Sequence, residues 1–112
     1  MTKPRKKVPY HVYLHSQRGL SPIPGPVHPV VLGEGVTVVI HKALKQDGTI
    51  RGKKWMVTET LSGADVASYQ TFDTIRSAKL WLDRMRTDIL DRIRAGARET
   101  FIQKYHKENP DA

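Results

Sequence analysis

The chain has 112 residues, of which 38% are hydrophobic, and it contains no cysteine. That length fits one domain able to bury a core without metal or disulfide support, and the lack of cysteine excludes disulfides, thiolate zinc sites and thiol nucleophiles. The formal net charge is +8, and the excess lies in the first half: residues 1–54 carry ten Lys/Arg and two acids, while residues 55–112 carry nine of each.

In chain order, residues 1–9 read as a flexible basic arm, with two prolines and no apolar period. Met1–Lys7 is basic like the start of a signal peptide, but Pro9, His11 and two tyrosines interrupt Val8–Leu14, so no apolar core of a leader follows. No apolar run approaches the ~18 residues of a membrane span. The expectation is a cytoplasmic protein that does not enter a membrane.

Residues 10–112 then read as a single α+β domain. Residues 10–35 form an extended, Pro-rich segment. Within it, Tyr10–His15 fits a short strand with Tyr10, Val12 and Leu14 on one face. Gln17–Pro29 reads as a loop, because Pro22, Pro24, Pro26 and Pro29 exclude helix and central strand. Residues 36–72 read as a β-meander. Val30–Leu32 and Val36–Leu44 are the strongest strand signals, separated by a turn or bulge at Gly33-Glu34-Gly35. Asp47-Gly48 suits a reverse turn between antiparallel strands, and Trp55–Leu61 is the returning strand. Glu59 falls on the same face as Trp55 and Val57 and spoils the apolar pattern. Val66–Phe72 reads as a third strand after a turn at Ser62–Asp65.

Residues 73–108 read as helical. Asp73 or Thr74 can cap the start. Ala78, Leu82, Met85, Ile89 and Ile93 form one amphipathic stripe, widened by Trp81. Steps of four residues drift by ~40° each against the 3.6-residue period, so the line leaves the core face unless the helix kinks or breaks, and Gly96 is the place for that. A last helical stretch aligns Ala97, Phe101 and Tyr105, and Asn109-Pro110 ends it. The expected architecture is therefore a three-stranded antiparallel meander packed against a long C-terminal helix, kinked near Gly96, with an extended Pro-rich segment before it.

The residues point to binding more than to catalysis. No phosphate-binding loop is present, and Gly33-Glu34-Gly35 lacks the third glycine and following helix of a dinucleotide site. The five histidines, His11, His15, His28, His41 and His106, sit in no metal or general-base motif. The expectation is a protein that is not an enzyme and holds no metal or cofactor. Lys42, Lys45, Arg51, Lys53 and Lys54 instead gather about one reverse turn with only Asp47 to offset them. A β-ribbon fits a major groove, and lysine and arginine neutralise phosphates. Lys3, Arg5, Lys6 and Lys7 of the arm extend that set. Tyr10, Tyr13, Trp55 and Tyr69 are candidates to reach the sheet surface and stack on bases, although Trp55 reads better as core.

Trp55-x-Val57, Gly63, Phe72-x-Thr74, Ala78 and Trp81-Leu82, in that order, resemble the small β-β-β-α arm-binding modules at the N-termini of phage and transposon integrases. The resemblance implies a sheet that lies in the major groove. It departs at Val66–Thr71, which carries no Lys or Arg where those modules carry basic residues.

The charge on α-helical residues 73–108 looks self-compensated, through Arg84–Asp88, Asp88–Arg92 and Asp91–Arg94. The sequence thus points to a DNA- or RNA-binding accessory or regulatory protein that uses hairpin and arm. The alternative is a protein-interaction module, a homodimer or an inhibitor, that uses Phe101, Ile102 and Tyr105.

Overall fold

A computed structural model describes residues 10–14, 16–67 and 70–105. Five strands and two helices follow in order: β1 (His11–Leu14), β2 (Gly19–Pro22), β3 (Val27–Gly33), β4 (Val36–Leu44), β5 (Ile50–Glu59), α1 (Ile75–Arg94) and α2 (Ala97–Tyr105). Strands β1 and β2 pair as an antiparallel hairpin, and β3-β4-β5 form an antiparallel three-stranded sheet with β4 in the centre.

The centre strand is buried on both faces. Val36, Val38 and Ile40 join the core beneath α1 with Val57, Ala78, Leu82 and Ile89, while Val39, His41 and Ala43 are buried on the other side. Such two-sided burial explains why β4 reads as a near-continuous apolar run. The N-terminal hairpin is fixed to the sheet at two points. Tyr13 N–H donates to Gly63 C=O at 2.9 Å, and a methyl of Leu14 lies where a Cβ on Gly48 would meet it at 3.1 Å. Gly63 has to be glycine: a Cβ there would stand 2.9 Å from Tyr13 N and 2.7 Å from a Leu20 methyl.

Four sequence expectations are corrected. First, Gln17–Pro29 is not one loop, because Gly19–Pro22 and Val27–Pro29 lie in strands. Strand β3 is an edge, where a proline deprives no second neighbour of a ladder hydrogen bond. Second, the meander is β3-β4-β5, one strand earlier than expected. Val66–Phe72 is not a strand. Asp65 turns the chain by accepting from Ala67 N–H at 2.8 Å, and only isolated bridges, Thr58 to Asp65 and Trp55 to Phe72, tie the segment to the outer edge of β5. The strand that precedes the helix is thus β5, which carries Arg51, Lys53 and Lys54. Third, Tyr13 does not reach the sheet surface: it is buried, as are Val12 and Leu14. Fourth, the long helix is not continuous: it breaks at Gly96, the position the sequence marked for a kink or break, into two helices. Thr74 caps α1 in a reciprocal pair with Ser77. Gly96, at φ 97°, ends it with its N–H on Ile93 C=O at 3.0 Å, a conformation that favours glycine.

Glu59 explains its own misfit in the strand pattern. It is 2% exposed, and its carboxylate accepts from Leu61 N–H (2.9 Å), Ser62 N–H (3.0 Å), Ser62 Oγ (2.6 Å) and the Arg98 guanidinium (3.2 and 3.3 Å). Arg98→Ala removes the countercharge and leaves a buried carboxylate held only by the loop. We expect it to destabilise the fold by about 3 kcal/mol, read as a lower urea midpoint, with Arg98→Lys losing less.

Candidate nucleic-acid interface

The turn between β4 and β5 closes as the sequence suggests. Lys45 N–H donates to Thr49 C=O at 2.8 Å, and Gly48 N–H donates to Lys45 C=O at 3.0 Å. Asp47 accepts from the Thr49 hydroxyl (2.6 Å) and N–H (2.9 Å), and the hydroxyl bond first, then the N–H bond, holds its carboxyl below the usual range. It therefore stays charged beside Lys45.

The tip is not a free ribbon end, however. Ser16 Oγ donates to Gln46 C=O, and Gln17 Nε2 donates to Asp47 C=O at 3.1 Å. Behind the tip the register slips: Leu44 pairs with Ile50, but Lys42 pairs with Trp55. Arg51–Lys54 therefore bulge out opposite Ala43, all four exposed. The basic surface is this flank and not the tip.

The hairpin cations have unequal freedom. Lys54 forms an ion pair with Asp73, just before α1. Lys42 lies with Nζ 4.4 Å from the centre of the Trp55 ring, a cation–π contact. Lys45, Arg51 and Lys53 are exposed and form no ion pair among the described residues. Lys3, Arg5, Lys6 and Lys7 lie outside the described residues. Trp55 is half-buried and packs against the main core, with the His28 ring edge-on at 5.6 Å. Tyr69, His15 and His106 also lie outside the described residues.

The second candidate surface is largely turned inward. The rings of Phe101 and Tyr105 pack at a tilt with centres 4.8 Å apart, and Tyr13 meets them edge-on at 5.5 Å and tilted at 5.4 Å respectively, while Tyr13 Oη donates to Tyr105 C=O at 3.3 Å. Phe101, Ile102 and Tyr105 are each half-buried.

The helix is less balanced than its sequence suggests. Arg92–Asp88 (3.1 Å) and Arg94–Asp91 (2.6 Å) pair as expected, but both lie in the second half of α1. Over its first twelve residues, 75–86, Arg76, Lys79, Arg84 and Arg86 are exposed and form no ion pair among the described residues. Counting charge separately over residues 75–86 and 87–94 would have revealed this.

Among the described residues no group of three or more His, Asp or Glu is placed to hold a metal ion, and no helix is long and apolar enough to cross a membrane. The chain matches no protein-family model, and comparison with curated proteins and with solved structures finds no significant match.

His41 sits fully buried at the base of the hairpin. Its Nδ1 lies 2.9 Å from Lys42 C=O, which can only accept, so Nδ1 carries the hydrogen and Nε2 accepts from the Thr58 hydroxyl at 2.7 Å. Burial lowers its pKa from 6.5 to about 4, against the smaller opposing effect of the Lys42 carbonyl. The ring is neutral, and it is a structural member of the hairpin rather than part of its positive surface. Because the folded value lies below the unfolded one, the unfolded chain takes up a proton first as pH falls. Stability from this group is complete above the unfolded value and falls by roughly 3 kcal/mol as pH drops through that window. Urea midpoints across the window test this. His41→Gln should show a shallower fall than the wild type, and equal falls would rule His41 out as the source.

Proposed function

We propose that the protein is a non-enzymatic nucleic-acid-binding accessory or regulatory protein that grips phosphates with the flank of its β4–β5 hairpin. The observation that carries this reading is the exposed bulge Arg51–Lys54 beside Lys42 and Lys45, five cations on one short ribbon with Asp47 at the tip and Asp73 on Lys54 as the acids against them. Exposed cations that their own chain leaves unpaired give a polyanion its affinity through release of counterions. Contacts of this kind position a nucleic acid without reading its sequence. The positive charges of Lys3, Arg5, Lys6 and Lys7 add to the same attraction. The aromatic cluster of Tyr13, Phe101 and Tyr105 supports the protein-interaction alternative less, since its rings already contact one another.

Fluorescence anisotropy with a labelled DNA duplex, and with single-stranded DNA and RNA, tests the proposal. Binding should weaken by at least tenfold between ~50 and ~200 mM salt. Arg51→Glu with Lys53→Glu, both on the exposed bulge, should lower the salt slope by about two and weaken binding to every sequence alike. Binding that ignores salt, or none at low salt, would dismiss the reading.

A further inference from the structure

The start of α1, which carries Arg76 and Lys79, lies against the base of the hairpin. Trp55 and Phe72 exchange two backbone hydrogen bonds, each 2.8 Å, and the Phe72 ring lies 5.5 Å from Trp81 in α1. The base of the hairpin is thereby joined to the start of the helix. On the other side of Trp55 stands His28, and the residues that follow it, Pro29 and Val30, form a shallow groove with Arg76, Lys79, Leu80 and Asp83 of α1. Helical spacing sets Arg76, Lys79 and Asp83 along this side of α1 and turns Arg84 about 100° round the helix from Asp83, outside the groove lining.

Two features mark this groove as more than a solvated face. Its cations stand at the start of a helix whose first turn holds no acid, an arrangement that the helix dipole disfavours. Its floor is also apolar, and Leu80 is left 60% exposed. Cations along an apolar trough match the alternation of phosphate and sugar in a nucleic-acid backbone. Asp83 closes the far end with a negative charge.

We propose that a nucleic-acid backbone strand runs from the hairpin past His28 into this groove, where Arg76 and Lys79 hold phosphates and Pro29 and Leu80 take the sugar edge. The track is thus Lys53, Lys42, Arg76 and Lys79, and it ends at Asp83. This rests on the nucleic-acid reading above and assigns that surface a second half on the helix.

The test compares variants by anisotropy against a labelled duplex and a single strand of the same sequence, each variant first shown to be folded by circular dichroism. Arg76→Ser with Lys79→Ser should weaken binding by at least about fivefold and lower the salt slope by about two. Asp83→Asn should tighten binding, a gain that a folding defect does not produce. Arg84→Ser, about 100° round α1 from Asp83 and outside the groove lining, should leave binding close to that of the wild type. An effect in only one of the two probes identifies the form of nucleic acid that the track takes. If Arg51→Glu with Lys53→Glu abolishes binding while the groove variants match the wild type, the track is wrong and the hairpin reading survives. If Arg84→Ser weakens binding as much as the groove pair does, net charge and not a track is responsible, and the proposal fails. If the wild type shows no salt-dependent binding to either probe, both readings fall together.

Discussion

A buried carboxylate is tolerated only when its charge is countered and its lone pairs are engaged, and Glu59 meets that condition by drawing several elements to one point. It ends β5, fixes the loop that follows through Leu61 and Ser62, and holds Arg98 in the first turn of α2. The same loop presents Gly63 C=O to Tyr13 N–H of β1. Arg98 reaches on to Gly35 C=O in the turn between β3 and β4, at 3.4 Å. The N-terminal hairpin, the sheet and α2 therefore share one electrostatic anchor. Hydrophobic burial supplies the larger stabilisation but is not directional; this carboxylate selects which loop and which helix lie against the end of the sheet.

The distribution of the remaining charge follows from where the carboxylates are used. The first half of the chain contains only two acids, Glu34 and Asp47. Glu34 sits at φ 52°, uncommon for a side chain of its size, and is engaged by Arg94. The Arg94 hydrogen bond holds the Glu34 carboxyl below its usual range. That pair lies at the C-terminal end of α1, away from the hairpin base that adjoins its start. The acids of α1 that form ion pairs, Asp88 and Asp91, also lie in its second half. The ion pairs of α1 thus gather toward its C-terminal end, while the acids beside the hairpin and the start of α1 are Asp73 on Lys54, Asp47 beside Lys45 and Asp83 in the groove.

Where local pattern and tertiary demand agreed, the fold was legible in the sequence. The alternation of Val36, Val38 and Ile40 located β4, the Asp47-Gly48 pair located the turn, and the stripe from Ala78 to Ile93 located α1. Legibility failed where a residue type has two uses. Prolines at 22 and 29 argue against strand in general but not at an edge. Val66 and Phe72 have the composition of a strand, yet the Asp65 side chain offers the backbone a turn that competes with a ladder. Of the candidate site, the hairpin cations were legible by count. Their division into paired and unpaired was not, because Lys54 finds Asp73 only after the chain has turned back along β5.

The bend in the hairpin decides how such a surface can work. An extended basic ribbon with a free end would enter a groove tip first. The slip in register between Lys42 and Leu44 prevents this, since it folds the tip onto β1 and β2, where Ser16, Gln17 and Leu14 hold it. What faces outward is the bulged flank, and its backbone is anchored on both sides: at the tip by those contacts and at Trp55 by the paired hydrogen bonds to Phe72. A flexible loop would have to be ordered on binding, at a cost of about 0.5–1.5 kcal/mol for each immobilised side chain in addition to its backbone. Here the backbone contribution is already met by folding, and only the lysine and arginine side chains remain to be ordered. An anchored flank gives up the reach of a free tip, and in exchange it presents its charges with fixed spacing.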